Sequence, residues 1–218
     1  MLVLLTTVSR VGGLIRETAI SHYFGASGIT DVFYMAFTIP NVLRRLVAEG
    51  TLTAVVQPAY QTVRTRDGDA AARRFYASML GFLLVVVSGL TALGVLGAPA
   101  LVAAFASGFI DEPAKFALCV DLTRWLFPVV IAMSLVGLSM AVLNAHDVYA
   151  VPALAPIVLN ISMIAFTILG ALTFPAEHRI MGAVVGVLVG GVLQVAVHVP
   201  ALARRGLMVR PRLALDAD

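Results

Sequence analysis

The chain has 218 residues, of which 60% are hydrophobic and only 12% charged, with a mean hydropathy of +0.97. Soluble domains carry about 25% charged residues, so a water-facing surface cannot be covered here, and lipid is the solvent for most of the exterior. The net charge of +3 does not point to nucleic acid, because the basic residues stand between long apolar runs and not on a soluble face with aromatic platforms.

A helix crosses the ~30 Å hydrocarbon core in about 20 residues. Six segments meet that length, at 1–24, 28–62, 73–107, 115–143, 150–173 and 178–203. Residues 1–8 are apolar but have no basic segment before them, and Arg10, Arg16 and Glu17 interrupt the residues after them. The first segment therefore reads as a retained membrane span and not as a cleaved signal peptide. Breaks fall at residues 25–28, 64–69, 108–113, 144–147 and 174–177, where turn formers or charges gather. Alternation with a period of two is absent, which argues against a β-barrel. The expected fold is all-α, a polytopic six-helix transmembrane bundle over residues 1–203.

Loop charges give this bundle an orientation. The second loop holds Arg64, Arg66, Arg73 and Arg74, and the tail holds Arg204, Arg205, Arg210 and Arg212. The first loop has no charge; the third carries Asp111, Glu112 and Asp121 around Lys115, and the fifth has Glu177, His178 and Arg179. Basic loops alternating with poor ones predict both ends of the chain in the cytoplasm. Residues 204–218 are too short for a domain and read as a cytoplasmic linker.

The chemistry is concentrated in the first two spans, which contain Arg10, Arg16, Glu17, Asp31, Arg44, Arg45 and Glu49. Each ionised side chain at the bilayer centre costs roughly 2.5–3.5 kcal/mol on insertion scales, so these groups must face a bundle interior or a water-filled cavity. Arg44 lies ~24 Å along its helix from the outer side, and Arg10 about 15 Å from the opposite start of the first, which allows the two to meet at similar depth. Arg10 and Glu17, seven apart, share nearly one helical face, and Arg45 and Glu49 form an i,i+4 pair. Arg44 and Arg16 have less evident acids, though Glu17 adjoins Arg16. Arginine makes bidentate, charge-assisted bonds to phosphate and stays ionised when partly buried. Pro40 removes a backbone donor within the second span and Asn41 adds an amide beside it; a broken helix lining a cavity is a recurrent transporter device. The competing reading is that these charges are structural ion pairs locking the first two helices, with Asp31 a helix-terminal dipole partner.

These residues also carry a resemblance. Ser9-Arg10-x-x-Gly13-x-x-Arg16-Glu17, Tyr23-Phe24-Gly25-Ala26, and above all Asp31-x-Phe33-x-x-Ala36-Phe37-x-Ile39-Pro40-Asn41-x-Leu43-Arg44-Arg45-Leu46-x-Ala48-Glu49-Gly50 are similar to the opening of the MurJ/MviN lipid II flippases. Further matches are Phe127-Pro128, Leu143-Asn144, Val151-Pro152-Ala153-x-Ala155-Pro156, Leu159-Asn160-Ile161 and Gly190-Gly191-Val192-Leu193-Gln194. The resemblance implies one lobe of a two-lobed transporter of the multidrug/oligosaccharidyl-lipid/polysaccharide exporter superfamily, in the bacterial inner membrane. It implies alternating-access transfer of lipid II, the undecaprenyl-pyrophosphate-linked peptidoglycan precursor, from the cytoplasmic to the periplasmic leaflet. Arg10, Arg16, Arg44 and Arg45 would then receive the pyrophosphate, and Glu17, Asp31, Pro40, Asn41 and Glu49 would orient them or gate the cavity. Thr38 stands where many members carry lysine, and the family chain is more than twice as long, so a carboxyl-terminal lobe is the implied partner, alongside membrane lipids.

Three other readings stand beside this one: an exporter of a drug or another polyprenyl-linked saccharide, a membrane enzyme acting on polyprenyl pyrophosphates, and a non-transporting structural fragment. The enzyme reading requires clustered acids with His or a metal. His22, His146, His178 and His198 lie far apart near span ends and read as interfacial polar residues. No catalytic set, metal site or cofactor is expected, and the single Cys119, which excludes an intrachain disulfide, reads as a packing residue.

Overall fold

The computed structural model describes the backbone of residues 2–25, 28–44 and 51–213, and the side chains of 4–25, 28–42 and 54–213. The described chain is almost wholly helical up to Ala203. In order it forms α1 (Leu2–Phe24), α2 (Gly28–Arg44), α3 (Thr51–Leu96), α4 (Ala98–Phe105), α5 (Pro113–Leu126), α6 (Val129–Asn144), α7 (Ala150–Thr173) and α8 (Ile180–Ala203). Short 3₁₀ turns occupy Ser107–Phe109 and Ala176–His178.

Six uninterrupted helices are not what the chain forms, and the interruptions have local causes. Pro128 has no N–H to donate, and the expected span at 115–143 divides into α5 and α6 at Phe127 and Pro128. The segment at 73–107 is divided at Gly97, whose N–H still bonds the Leu93 carbonyl at 2.7 Å. The segment at 28–62 comprises α2 and the start of α3, with residues 45–50 outside the described part. The break anticipated over residues 64–69 narrows to Gly68 within α3, at φ 82° and ψ 174°. That left-handed, extended conformation is closed to side chains bearing a Cβ, so glycine places the bend.

Among the described residues, four helical stretches are long and apolar enough to cross a membrane: Ala54–Leu96, Pro113–Asn144, Ala150–Thr173 and Ala176–Ala203. α1 is long enough, but every such stretch within it includes Arg10, Arg16 and Glu17. The deviation is chemical, and it marks α1 as the helix with a polar task.

The most extensive helix pair is α7 with α8. Gly182, Gly186 and Gly190 recur every fourth residue, one face of a helix, and each meets α7 where a side chain would collide. A Cβ on Gly182 would sit 2.5 Å from the Phe166 carbonyl oxygen, and one on Gly186 2.9 Å from the Met163 Cα. The close approach lets Ser162 donate its hydroxyl to the Gly186 carbonyl at 2.8 Å. In lipid, where apolar burial gives helices little reason to associate, such small-residue seams and interhelical hydrogen bonds supply the attraction. The apolar core lies among α2, α5, α6 and α8, with Phe33, Leu126, Phe127, Leu138 and Val187 fully buried. Cys119 is buried there too, its thiol turned toward the Val32 carbonyl of α2.

The connections segregate to two ends. At one end Arg64, just before the Gly68 break, donates to the Ala145 carbonyl at 3.2 Å, and Tyr60 hydrogen-bonds His146 at 3.0 Å. The residues after α8 return to the same end: Leu207 is buried, and the Arg212 N–H bonds the Ala77 carbonyl of α3 at 3.0 Å. At the other end the Lys115 side chain lies against Gly28, bringing the first and third connections together.

Gly182→Val should break the α7–α8 seam at a cost of about 1–3 kcal/mol, the range for overpacking a close contact. A fall in the unfolding temperature of the detergent-solubilised protein measures it, and Val185→Ala, off the seam, serves as the reference.

Candidate functional site: a guanidinium between two helices

α1 lies along α7, and one buried amide organises their contact. Asn160 sits in the middle of the apolar α7, only 6% exposed. Its Oδ1 accepts a hydrogen bond from Arg16 Nη1 at 3.1 Å, and its Nδ2 donates to the Ser9 carbonyl at 3.1 Å. Gly12 faces the same amide: a Cβ there would be 3.3 Å from Asn160 Nδ2. Residues 9, 12 and 16 are one turn apart on one face of α1, so a single side chain of α7 touches three successive turns.

Arg16 completes its contacts within α1. Its Nη2 lies 3.2 Å from Glu17 Oε1, the arginine side chain 19% exposed and the glutamate 57%. Arg16 Nε is buried with no partner among the described residues. The guanidinium is thus held on one side by a neutral amide, on the other by a half-exposed carboxylate, with donors remaining. A guanidinium has five N–H groups, and Asn160 and Glu17 occupy two.

The Arg10–Glu17 pair expected from their common face does not form. Seven residues span about 10.5 Å of helix axis, two full turns, whereas the adjacent Arg16 lies within reach of Glu17. Arg10 is exposed and makes no hydrogen bond or ion pair among the described residues. Asp31 is exposed in the first turn of α2, where a carboxylate favours the helix dipole. Pro40 is buried inside α2 and Asn41 is half-buried beside it. Arg45 and Glu49 lie outside the described residues, as does the Arg44 side chain.

A second polar cluster lies where the ends of α3's first arm and α6 meet. Arg64 Nε bonds Asp69 Oδ1 at 2.9 Å across the Gly68 break, while its Nη1 holds Ala145. These residues, with Gln61 and Thr65, line an open cleft of about 540 Å³. Burial, and then the nearby Arg64 charge, hold the His146 imidazole below its ordinary value of 6.5. His146 is therefore part of a bracket between two connections. His198 also departs from the interfacial expectation: it is fully buried in α8, with Nδ1 2.7 Å from the Gln194 carbonyl. Among the described residues no three His, Cys, Asp or Glu side chains gather as a metal would require.

Long apolar helices, a glycine seam and an arginine held within the helical layer define a multi-pass α-helical membrane protein. Residues 20–218 match the family model described as Lipid II flippase MurJ. The lipid II flippase of Burkholderia cenocepacia is 40% identical over 200 residues, covering 90% of this chain and 38% of its own length. The probable lipid II flippase of Buchnera aphidicola subsp. Baizongia pistaciae is 35% identical over 209 residues, covering 96% and 40%. A solved structure of a lipid II flippase in an inward closed conformation superposes with a TM-score of 0.75 at 20% identity, over 93% of this chain and 42% of that one; it shows the same fold. The chain belongs to the MurJ lipid II flippase family and spans about two fifths of the length of these relatives.

The bracket generates a pH prediction. Because the folded state holds His146 below 6.5, the unfolded or opened chain binds its proton first as pH falls. The bracket's stability is full above about pH 6.5 and declines below it, toward the folded value. Amide hydrogen exchange over residues 60–69 and 144–148, corrected for intrinsic rates, should accelerate between about pH 7.5 and about pH 5.5. His146→Gln should remove that dependence.

Proposed function

We propose that this chain is the amino-terminal lobe of a lipid II flippase of the bacterial inner membrane, with six membrane crossings and both ends cytoplasmic. In this reading α1, α7 and α8 are single crossings; α2 joined to the first arm of α3, the second arm joined to α4, and α5 joined to α6 are the other three. The arrangement of connections supports it. Residues 64–69, 145–147 and 204–213 share one end, the more arginine-rich one, and an arginine-rich end faces the cytoplasm.

The observation that carries the functional reading is Arg16, held within the helical layer by Asn160 and Glu17. A part-buried guanidinium held by one neutral amide and one half-exposed carboxylate keeps donors for an anion, and its planar fork suits a pyrophosphate. Arg10, Arg44 and Arg45 join it in receiving the pyrophosphate, while Glu17, Asp31, Pro40, Asn41 and Glu49 orient the arginines or shape the cavity. The glycopeptide head occupies a cavity completed by a carboxyl-terminal lobe, as the greater length of the relatives supports, and the polyprenyl tail stays in lipid. Alternating access moves the head from the cytoplasmic to the periplasmic leaflet. No bond is made or broken, so the protein acts as a transporter and not as an enzyme. Movement of a charged head couples to the membrane potential at about 2.3 kcal/mol per charge per 100 mV.

In the full-length protein, Arg16→Ala should abolish the appearance of lipid II on the outer face of the membrane, read by its accessibility to an externally added lipid II-cleaving enzyme. Wild-type accessibility in that variant, at equal protein level, would overturn the proposal. Glu17→Gln should act in the opposite direction on binding. Removing a half-exposed ion-pair partner, worth ~0.2–1 kcal/mol, should tighten binding of undecaprenyl pyrophosphate by about 1.4- to fivefold, measured by titration in detergent.

A further inference from the structure

The pyrophosphate reading accounts for the arginines and leaves Asn160 unexplained. Asn160 is a polar amide buried in an apolar helix, and it reaches the arginine from a different part of the chain, 144 residues away. An amide there has two opposite obligations. It must offer an acceptor to Arg16 and a donor to the Ser9 carbonyl, and its two ends meet both at 3.1 Å. The Ser9 contact fixes which way the amide faces, so Oδ1 has no freedom to turn from the guanidinium. Gly12 provides the room: with any Cβ at 3.3 Å from Nδ2 the amide would have to shift by a few tenths of an ångström.

No other side chain of similar size satisfies these contacts equally. Aspartate would present an oxygen to the Ser9 carbonyl oxygen and neutralise Arg16 with a buried counter-charge. Alanine would leave the guanidinium, already with one buried N–H group unpartnered at Nε, without its anchor. Leucine would fill the space and strand two polar groups. The amide is thus the choice that aims a guanidinium while leaving its charge intact.

We propose that Asn160 is the positioning residue of the anion site: it orients Arg16 toward the cavity with a neutral partner, so that Glu17 is the one counter-charge a pyrophosphate has to displace. This rests on the reading of Arg16 as a pyrophosphate ligand. Asn160 acts through Arg16 and touches no substrate itself.

The test is a double-mutant cycle in the full-length protein, reading the dissociation constant of undecaprenyl pyrophosphate in detergent together with the unfolding temperature. Asn160→Ala should weaken binding about tenfold, the scale of a lost hydrogen bond to a charged group. Asn160→Asp, although nearly isosteric, should weaken it more than Asn160→Ala, because the added carboxylate competes with the ligand for Arg16. A residue that merely packs α1 on α7 predicts the reverse order. In the Arg16→Ala background neither Asn160 substitution should change affinity further, since the route of their effect is gone. Should both Asn160 variants fail to fold, Gly12→Ala replaces them: it displaces the amide without removing it, and should weaken binding only when Arg16 is present. Wild-type affinity in the folded Asn160 variants, or a loss that persists unchanged without Arg16, would overturn the positioning role. Wild-type affinity in Arg16→Ala would instead overturn the pyrophosphate reading, so the two failures are distinguishable.

Discussion

A guanidinium cannot stand alone in hydrocarbon, and much of this chain is arranged around that constraint. Arg16 projects from α1 into the helical layer, where an isolated charge costs several kcal/mol. Glu17 relieves part of that cost from the neighbouring position, at 3.2 Å. The rest is met from α7 by Asn160, which obliges α1 and α7 to run side by side at a separation that Gly12 permits. α7 is itself fixed by the glycine seam of α8, where Ser162, two residues beyond Asn160, bonds the Gly186 carbonyl. Position thus passes from a close-packed backbone seam, through one rigid helix, to a charged group.

How the charge is solvated determines what it can do. Had the partner on α7 been a carboxylate, Arg16 would form two ion pairs and its net attraction for an anion would vanish. Buried ion pairs lock structure, and breaking one exposes an unpaired charge at a cost of about 3–5 kcal/mol. A neutral amide avoids this: the anchor holds while the more exposed Glu17 carboxylate remains the single acid to displace. On the function proposed above, that difference is what separates the binding reading of Arg16 from the purely structural one, between which the residues alone do not decide.

Much of this is legible in the residues, and the places where it is not are instructive. Hydropathy locates α7 and α8, because each is an apolar run bounded by proline or charge. Proline and glycine within such runs are harder to weigh. Pro40, Pro156 and Pro200 lie inside continuous helices, whereas the chain breaks at Pro128 and at Gly97; only tertiary packing, with Phe127 buried at one of those breaks, distinguishes the two outcomes. Angular position alone suggests an Arg10–Glu17 pair, but two turns separate them and the adjacent Arg16 pairs with the carboxylate. Asn160 carries a readable signal, an amide amid aliphatic residues in a membrane span, yet its partner cannot be found by spacing. His198 is buried for a similar reason: its Nδ1 finds the Gln194 carbonyl one turn earlier in its own helix, so its polarity does not draw it to the interface.

The exposed face of α1 is the last part of the physical problem. Leu4, Val8, Val11, Leu14 and Ile15 are exposed there, and Arg10, Glu17 and Thr18 are exposed among them. A surface of that mixture suits neither lipid nor water. Lipid rejects the arginine and the glutamate, and water gains nothing from the aliphatic residues. The arrangement is stable when a second protein surface supplies apolar contact to the aliphatic side chains while the charged ones border a wet cavity. On the function proposed above, that second surface belongs to the carboxyl-terminal lobe. The relatives, some two and a half times the length of this chain, have the additional residues from which such a second surface can be built.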